Sequence, residues 1–199
     1  MTKRLTCICL GLGLVLLASC ASTKVVEHWA DPDFDAKLKN IMVLSLNPSE
    51  KSRRLFEDGF LHALEQRKIQ SLASYTLLPS YEDLDEEKVK TAISGSDIDG
   101  VLVLRAVKIT KEERYVQAQA TGTRYNSFYS YVGEYRPTYS AYTTEDSLVH
   151  LETNLYAVDG EKLIWSGKTE TFNPSDVDAY LIDLTKTVLD AIGKTGFIQ

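Results

Sequence analysis

Few side chains in this sequence could do chemistry, and their spacing sets one of them apart. Cysteines stand at 7, 9 and 20 and histidines at 28, 62 and 150 in a chain of 199 residues. Cys7 and Cys9 lie within an apolar run, residues 5–17, whereas Cys20 follows Leu17-Ala18-Ser19 just behind it. With Lys3 and Arg4 ahead of the run, these residues supply the cationic head, apolar core and small-residue cleavage site of a signal peptide. A run of about 13 apolar residues is too short to cross a bilayer, which takes roughly 20. The thiol that matters is therefore Cys20, at the end of a leader that is cut away.

With those residues in place, Leu17-Ala18-Ser19-Cys20 resembles a lipobox. The resemblance implies cleavage before Cys20, a lipid on its sulfur and an acyl group on its new amine. Ala21, where an Asp would retain the protein, implies transfer to the outer membrane of a Gram-negative bacterium, on the periplasmic side. Each buried CH₂ of such chains contributes about 0.8 kcal/mol, so several chains hold where one would be marginal. The organisation expected is a signal peptide over 1–19, a lipidated tether and lead-in over 20–38, and one α/β domain over 39–199.

Removing 19 residues leaves 180, enough for one ordinary core. The leader takes two of the 22 basic residues and none of the 28 acidic ones, so the remainder carries a charge of −8. That balance disfavours nucleic acid and anionic headgroups as partners. All three cysteines precede residue 21, so a thiol nucleophile, a thiolate metal site and an internal disulfide are excluded from the mature domain. The histidines are isolated from one another, with no i, i+4 pair and no neighbouring Cys or Asp at metal-ligand spacing. No Gly-x-Ser-x-Gly, Walker motif or complete calcium loop is present, and the acidic run over 82–87 reads as the solvated start of a helix. No catalytic residue, no metal site and no cofactor is expected, and the chain is read as not an enzyme.

The elements follow from periodicity and turn residues. Residues 25–34 mix apolar and turn residues and read as an extended lead-in or short edge strand, broken at Asp31-Pro32. Residues 40–46 form a buried strand, and Ser49 opens a helix with Phe56, Phe60, Leu61 and Leu64 on one apolar stripe against a charged face. A short strand over 69–75, a helix over 85–93 and a central strand from Val101 through Val107 and Ile109 come next. Arg105 within that strand reads as a solvated or ion-paired structural residue in preference to a ligand-binding one. Residues 148–158 and 162–172 form a hairpin through Asp159-Gly160, with Val149, Leu151 and Leu155 facing Leu163 and Trp165. A last helix carries Val177, Leu181, Leu184, Val188 and Ile192 as its stripe and stops at Gly193. The expected class is α/β (α+β), a mixed sheet flanked by helices in the order β-α-β-α-β-β-β-β-α.

One segment departs from this pattern. Seven of the eleven tyrosines fall between 115 and 142, within an insertion of about residues 115–145 that also holds Gly122, Gly133 and Pro137. Three readings stand: a hairpin with aromatic cross-strand pairs, a low-complexity loop, or a recognition surface. The candidate partner-binding residues are Tyr129, Tyr131 and Tyr135, because tyrosine offers apolar area and a hydroxyl at low entropic cost.

The strand Ile41-Met42-Val43-Leu44-Ser45-Leu46, the helix through Phe56-Glu57-Asp58 and the order of elements resemble the small α/β domains of outer-membrane accessory lipoproteins. Curli-secretion, penicillin-binding-protein-activator and Tol-Pal N-terminal domains share that layout, as do uncharacterised lipoproteins ending in Leu-Ile-Trp-Ser and a terminal helix. The resemblance implies a non-catalytic accessory or binding module in envelope biogenesis or transport. Its partners would be the membrane, through the N-terminal lipid, and an envelope protein or glycan. The alternatives are a subunit of an oligomeric export pore, with the tyrosine-rich segment as a membrane hairpin, and a hydrolase of envelope polymers.

Overall fold

The computed structural model describes residues 22–83, 85–116, 142–174 and 176–198. Its elements are β1 (Ser22–Ala30), β2 (Asn40–Ser45), α1 (Glu50–Gln66), β3 (Gln70–Ala73), α2 (Glu86–Ser94), β4 (Gly100–Val116), β5 (Tyr142–Ala157), β6 (Lys162–Phe172) and α3 (Val177–Gly193). Among the described residues six strands form one sheet in the order β1-β6-β5-β4-β2-β3. β2 runs parallel to β3 and β4, and the other neighbours are antiparallel. The class is α/β, a mixed sheet flanked by helices.

Parallel strands require crossover helices, and those helices cover both faces of the sheet around β2. That is why Ile41, Met42, Val43 and Leu44 are all buried in succession. Ile41 and Val43 face α1 and α3 in the main core with Phe60, Leu64, Leu184 and Val188, while Met42 and Leu44 meet Val89 and Ile93 of α2 on the other face. The antiparallel half has helices on one face only. Its other face carries an exposed lattice of charge, with Lys24 at 3.2 Å from Glu170, Lys168 at 2.7 Å from Glu27, and Arg105 at 2.6 Å from Glu152. Arg105 is the ion-paired residue expected, and together with Asn154 it holds the Glu152 carboxyl below its ordinary range.

The lead-in is a full edge strand. β1 pairs with β6 from Ser22↔Phe172 to Ala30↔Trp165, with a bulge between Val25 and Glu27. The extra residue breaks the alternation of Val25 and Val26, which hides the strand from a period-2 reading. The strand does end at Asp31-Pro32: Asp31 N–H donates to Ile164 O at 2.8 Å, and Lys162 Nζ lies 2.5 Å from the Asp31 carboxylate. The chain then returns along the C-terminus, where Phe34 meets Phe197 edge-on at 5.1 Å and Leu38 N–H donates to Phe197 O.

A second bulge corrects the expected hairpin faces. Leu155 pairs with Trp165 and Tyr156 with Leu163, leaving Ile164 as the extra residue. Ile164 and Trp165 are both fully buried, while Leu163 is half-buried. Leu163 and Trp165 therefore do not share one core-facing side. The turn itself is as read, with Gly160 at φ 73°, a conformation glycine adopts without strain.

α1 and α3 begin at side-chain caps, Ser49 accepting from Ser52 N–H and Asp176 from Ala179 N–H. Along α3, Leu181, Leu184, Val188 and Ile192 are buried, each contributing roughly 1.5–3 kcal/mol. Val177, the first residue of the expected stripe, is 55% exposed because it precedes the part of the helix that the sheet underlies.

Tyr180 lies on the same face beside Thr171 and meets Phe56 at 6.1 Å. Burial pushes its phenol up to about 12, partly offset by the Thr171 hydroxyl. An unfolded tyrosine titrates at about 10, so the folded chain holds this proton more tightly. The stability tied to it is intact below pH 10 and is lost as pH rises toward 12. An ultraviolet phenolate titration is expected to show late-ionising tyrosine, Tyr180 and also Tyr75, whose phenol Asp58 pushes up, and Tyr180→Phe should remove the part of the late step that accompanies loss of folded structure.

Candidate functional site

Cys20 and the three candidate contact residues Tyr129, Tyr131 and Tyr135 lie outside the described residues. The structure does describe the elements on either side of them. β1 starts at Ser22, two residues after Cys20, so residues 22–24, expected to be tether, are already paired with β6. At the other boundary, β4 and β5 stay paired as far as Val116↔Tyr142, which places the backbones of Tyr115 and Tyr142 in strands. β6 stops at Phe172, opposite Leu148, so residues 111–116 and 142–147 continue as a two-stranded arm beyond the sheet. At 3.3 Å per residue the arm extends about 20 Å.

Both boundaries fall at the same end of the sheet. Ser22 pairs with Phe172, Phe172 with Leu148, and Leu148 with Thr110, one row across four strands. Asn173, at φ 44°, ties this row down: its N–H donates to Ser147 O at 2.8 Å and its side-chain oxygen accepts from Ser147 N–H at 2.6 Å. The start of β1 and the base of the arm are thus brought together although they are about ninety residues apart in sequence. Only the register of β1 could reveal this.

The histidines stay apart. His28 is exposed on β1, His62 lies on α1 beside Gln66 at 2.9 Å, and His150 on β5 is 3.6 Å from Glu170. Among the described residues no three histidine, cysteine or acidic side chains come close enough to hold a metal. Among them, too, no helix is long and apolar enough to cross a membrane.

In α/β folds ligands collect beyond the carboxyl ends of parallel strands, where the crossovers diverge. Here that place is occupied by the protein's own side chains. Arg53 and Glu57, successive members of the α1 stripe, are both fully buried, with Arg53 Nε at 3.2 Å from Glu57 Oε1. Arg53 Nη2 donates to Ser74 Oγ and Leu78 O, each at 2.8 Å. Glu57 accepts from Ser45 N–H at 3.0 Å, Ser74 Oγ at 2.7 Å and Tyr75 N–H at 3.2 Å. The pair fastens the ends of β2 and β3 to α1, and it fills the crevice that a nucleotide or small acid would need. The expected charged face of α1 did not include it. An opposite-charge pair at i, i+4 continuing the stripe of Phe60 and Leu64 is the signal that could have shown it.

Two grooves remain. One, of about 530 Å³, lies between α2 and the sheet, with Leu44, Leu46, Val89, Ile93, Val101 and Val103 among its walls. Lys90 spans its rim to Glu86 at 3.0 Å and Glu161 at 3.2 Å, and these carboxylates raise its pKa. The other, of about 730 Å³, runs between α1 and α3 past His62, Ile182 and Asp190. Lys186 and Arg67 hold the Asp190 carboxyl below its usual range.

No family model and no curated protein matches the chain. Among solved structures it is similar to a PelC dodecamer from Paraburkholderia phytofirmans, at 12% identity and TM-score 0.45 over 83% of this chain and 96% of that one. It is also similar to a lipoprotein from Neisseria meningitidis, at 12% identity and TM-score 0.44 over 78% of this chain and 99% of that one. A PDZ domain protein from Parabacteroides distasonis is matched at 9% identity and TM-score 0.41, over 85% of this chain and 36% of that one.

Proposed function

We propose that the protein is a lipid-anchored, non-catalytic module of the bacterial envelope, held by Cys20 on the periplasmic side of the outer membrane and acting as an accessory or binding component. The observation that carries this reading is the junction at Ser22. A leader ending in Leu17-Ala18-Ser19-Cys20 leads within two residues into an edge strand, so the anchor is joined to the folded sheet without a flexible spacer. The occupied crevice at Arg53 and Glu57 and the scattered histidines support a binding role over a catalytic one. Tyr129, Tyr131 and Tyr135, in the stretch of sequence between β4 and β5, are the proposed partner surface.

Cys20→Ser is expected to abolish palmitate incorporation and to move the protein from the membrane fraction to the soluble fraction. In the lipidated protein, replacing Tyr129, Tyr131 and Tyr135 together by Ser is expected to lose envelope proteins or glycan captured by crosslinking. A membrane-bound, palmitate-free wild type would overturn the anchor. An unchanged set of captured partners would overturn the surface.

A further inference from the structure

The sheet face turned away from α1 and α3 is not uniform. Strand register sets its side chains in rows that cross from β4 toward β1. One row is Arg105, Glu152, Lys168 and Glu27, alternating charges joined by the Arg105–Glu152 and Lys168–Glu27 ion pairs. The next row, two residues further from the arm, is Val103, Asn154, Ser166 and Trp29, and beyond it lie Val101, Tyr156 and Leu163. Apolar side chains therefore gather on the part of this face remote from the arm. Val101, Val103, Tyr156 and Leu163 are only half-buried and Trp29 is 48% exposed, whereas Leu102, Leu104 and Leu155 on the opposite face are shut off from water.

α2 covers this patch from the β2 side alone. Its Val89 and Ile93 meet Met42 and Leu44, yet no residue of α2 is buried, and the groove of about 530 Å³ between the helix and Val101, Val103 and Tyr156 stays open. Among the described residues no helix lies over β4, β5, β6 and β1 on this side. From β4 to β1 is three strand spacings, about 14 Å. A helix with its side chains is about 10–12 Å across. The layer that α2 begins thus has room for a second helix beside it.

We infer that this place takes an amphipathic helix of a partner protein, its apolar side in the groove and its basic residues along the rim beside α2. An added strand is disfavoured because β4 and β5 are internal strands, paired on both sides, and offer no free N–H or C=O row. A segment laid on the face of the sheet has to satisfy its own backbone, which a helix does. Charge selects the helix's flank. Glu86 and Glu161 share Lys90, at 3.0 and 3.2 Å, and Asp85, 3.4 Å from Lys88, stands at the start of α2. Five of the six residues over 82–87 are acidic. That rim attracts lysine and arginine and repels the head of a fatty acid or an anionic lipid. The surface is distinct from Tyr129, Tyr131 and Tyr135 and does not depend on lipid at Cys20.

The test is photocrosslinking in living cells with the full-length protein, carrying p-benzoylphenylalanine in place of Tyr156 or Trp29. Lys24 and Phe172, on the same face near the arm, serve as control positions. Irradiation is expected to join both groove positions to one protein, at yields at least fivefold above those at the controls. Tandem mass spectrometry should place the crosslink in a stretch with apolar residues at i, i+3, i+4 and i+7 and lysine or arginine beside them. Glu86→Lys with Glu161→Lys, two exposed positions, should lower the yield at Tyr156 at least fivefold while the circular dichroism spectrum stays unchanged. Adducts with lipid alone or with a second copy of this chain, the same adducts at the control positions, a crosslinked stretch without helical periodicity, or a yield indifferent to the charge reversal would each overturn the inference. So would the absence of adducts at both groove positions. None of these results bears on the anchor or on the tyrosine surface, which palmitate incorporation and the tyrosine variants test separately.

Discussion

Glu57→Ala is expected to cost about 3–5 kcal/mol, because it leaves the buried Arg53 guanidinium with only the half-exposed Glu50 carboxylate, at 3.7 Å, as a counter-charge. The magnitude follows from burial: Arg53 and Glu57 are both 0% exposed, and water cannot reach either to replace the lost partner. The substitution also strips acceptors from Ser45 N–H, Ser74 Oγ and Tyr75 N–H, which unfastens the ends of β2 and β3. For a domain of this size the melting temperature should fall by roughly 6–20 °C. The double variant Arg53→Met, Glu57→Leu removes both charges and fills the space with apolar atoms, and it should recover most of the loss. Thermal melts of the wild type and the two variants decide the matter. Equal losses in the single and double variants would mean that packing volume, and not the unpaired charge, carries the effect.

Gly167→Ala should destabilise by about 1–3 kcal/mol through steric conflict alone. A Cβ at this position would collide with the indole of Trp165, two residues earlier on the same face of β6. Trp165 is fully buried, so the ring has no space into which to retreat. Trp165→Ala should itself cost about 3–5 kcal/mol by leaving a cavity. The two changes are expected to be non-additive: in the Trp165→Ala background the added methyl meets no ring, and the cost of Gly167→Ala should vanish or reverse. Chemical denaturation of the four proteins gives the coupling directly, and additive losses would show that Gly167 is required for a reason other than the ring. The indole N–H has no hydrogen-bond partner, so Trp165→Phe should be milder than Trp165→Ala.

The elements whose residues repeat at the helical or strand period were legible without coordinates. β2, α1, α2 and the paired run of β5 and β6 appear where apolar spacing and turn residues put them, because each buries one continuous face. Where a bulge or a buried charge interrupts that spacing, the reading failed. The extra residue between Val25 and Glu27 blurred the extent of β1, read only as a lead-in or short edge strand, and the extra Ile164 placed Leu163 on the wrong face. Arg53 and Glu57 were not singled out, because burial of a charge depends on partners such as Ser74 and Leu78, which lie about twenty residues further along. Val177 fits the α3 stripe in spacing, yet the helix overhangs the sheet at that point.

The sequence by itself determined the α/β class, the helices and most strands, the candidate lipidation site at Cys20 and the lack of a catalytic motif. Those are properties of residue type and short spacing, set by local sterics and by the need to bury one face of each element. Only the tertiary structure decided that the start of β1, the end of β6, the start of α3 and the base of the β4–β5 arm share one end of the molecule. Strand register is a long-range choice, made by backbone hydrogen bonds between segments up to 150 residues apart, as in Ser22 with Phe172, and no local pattern encodes it.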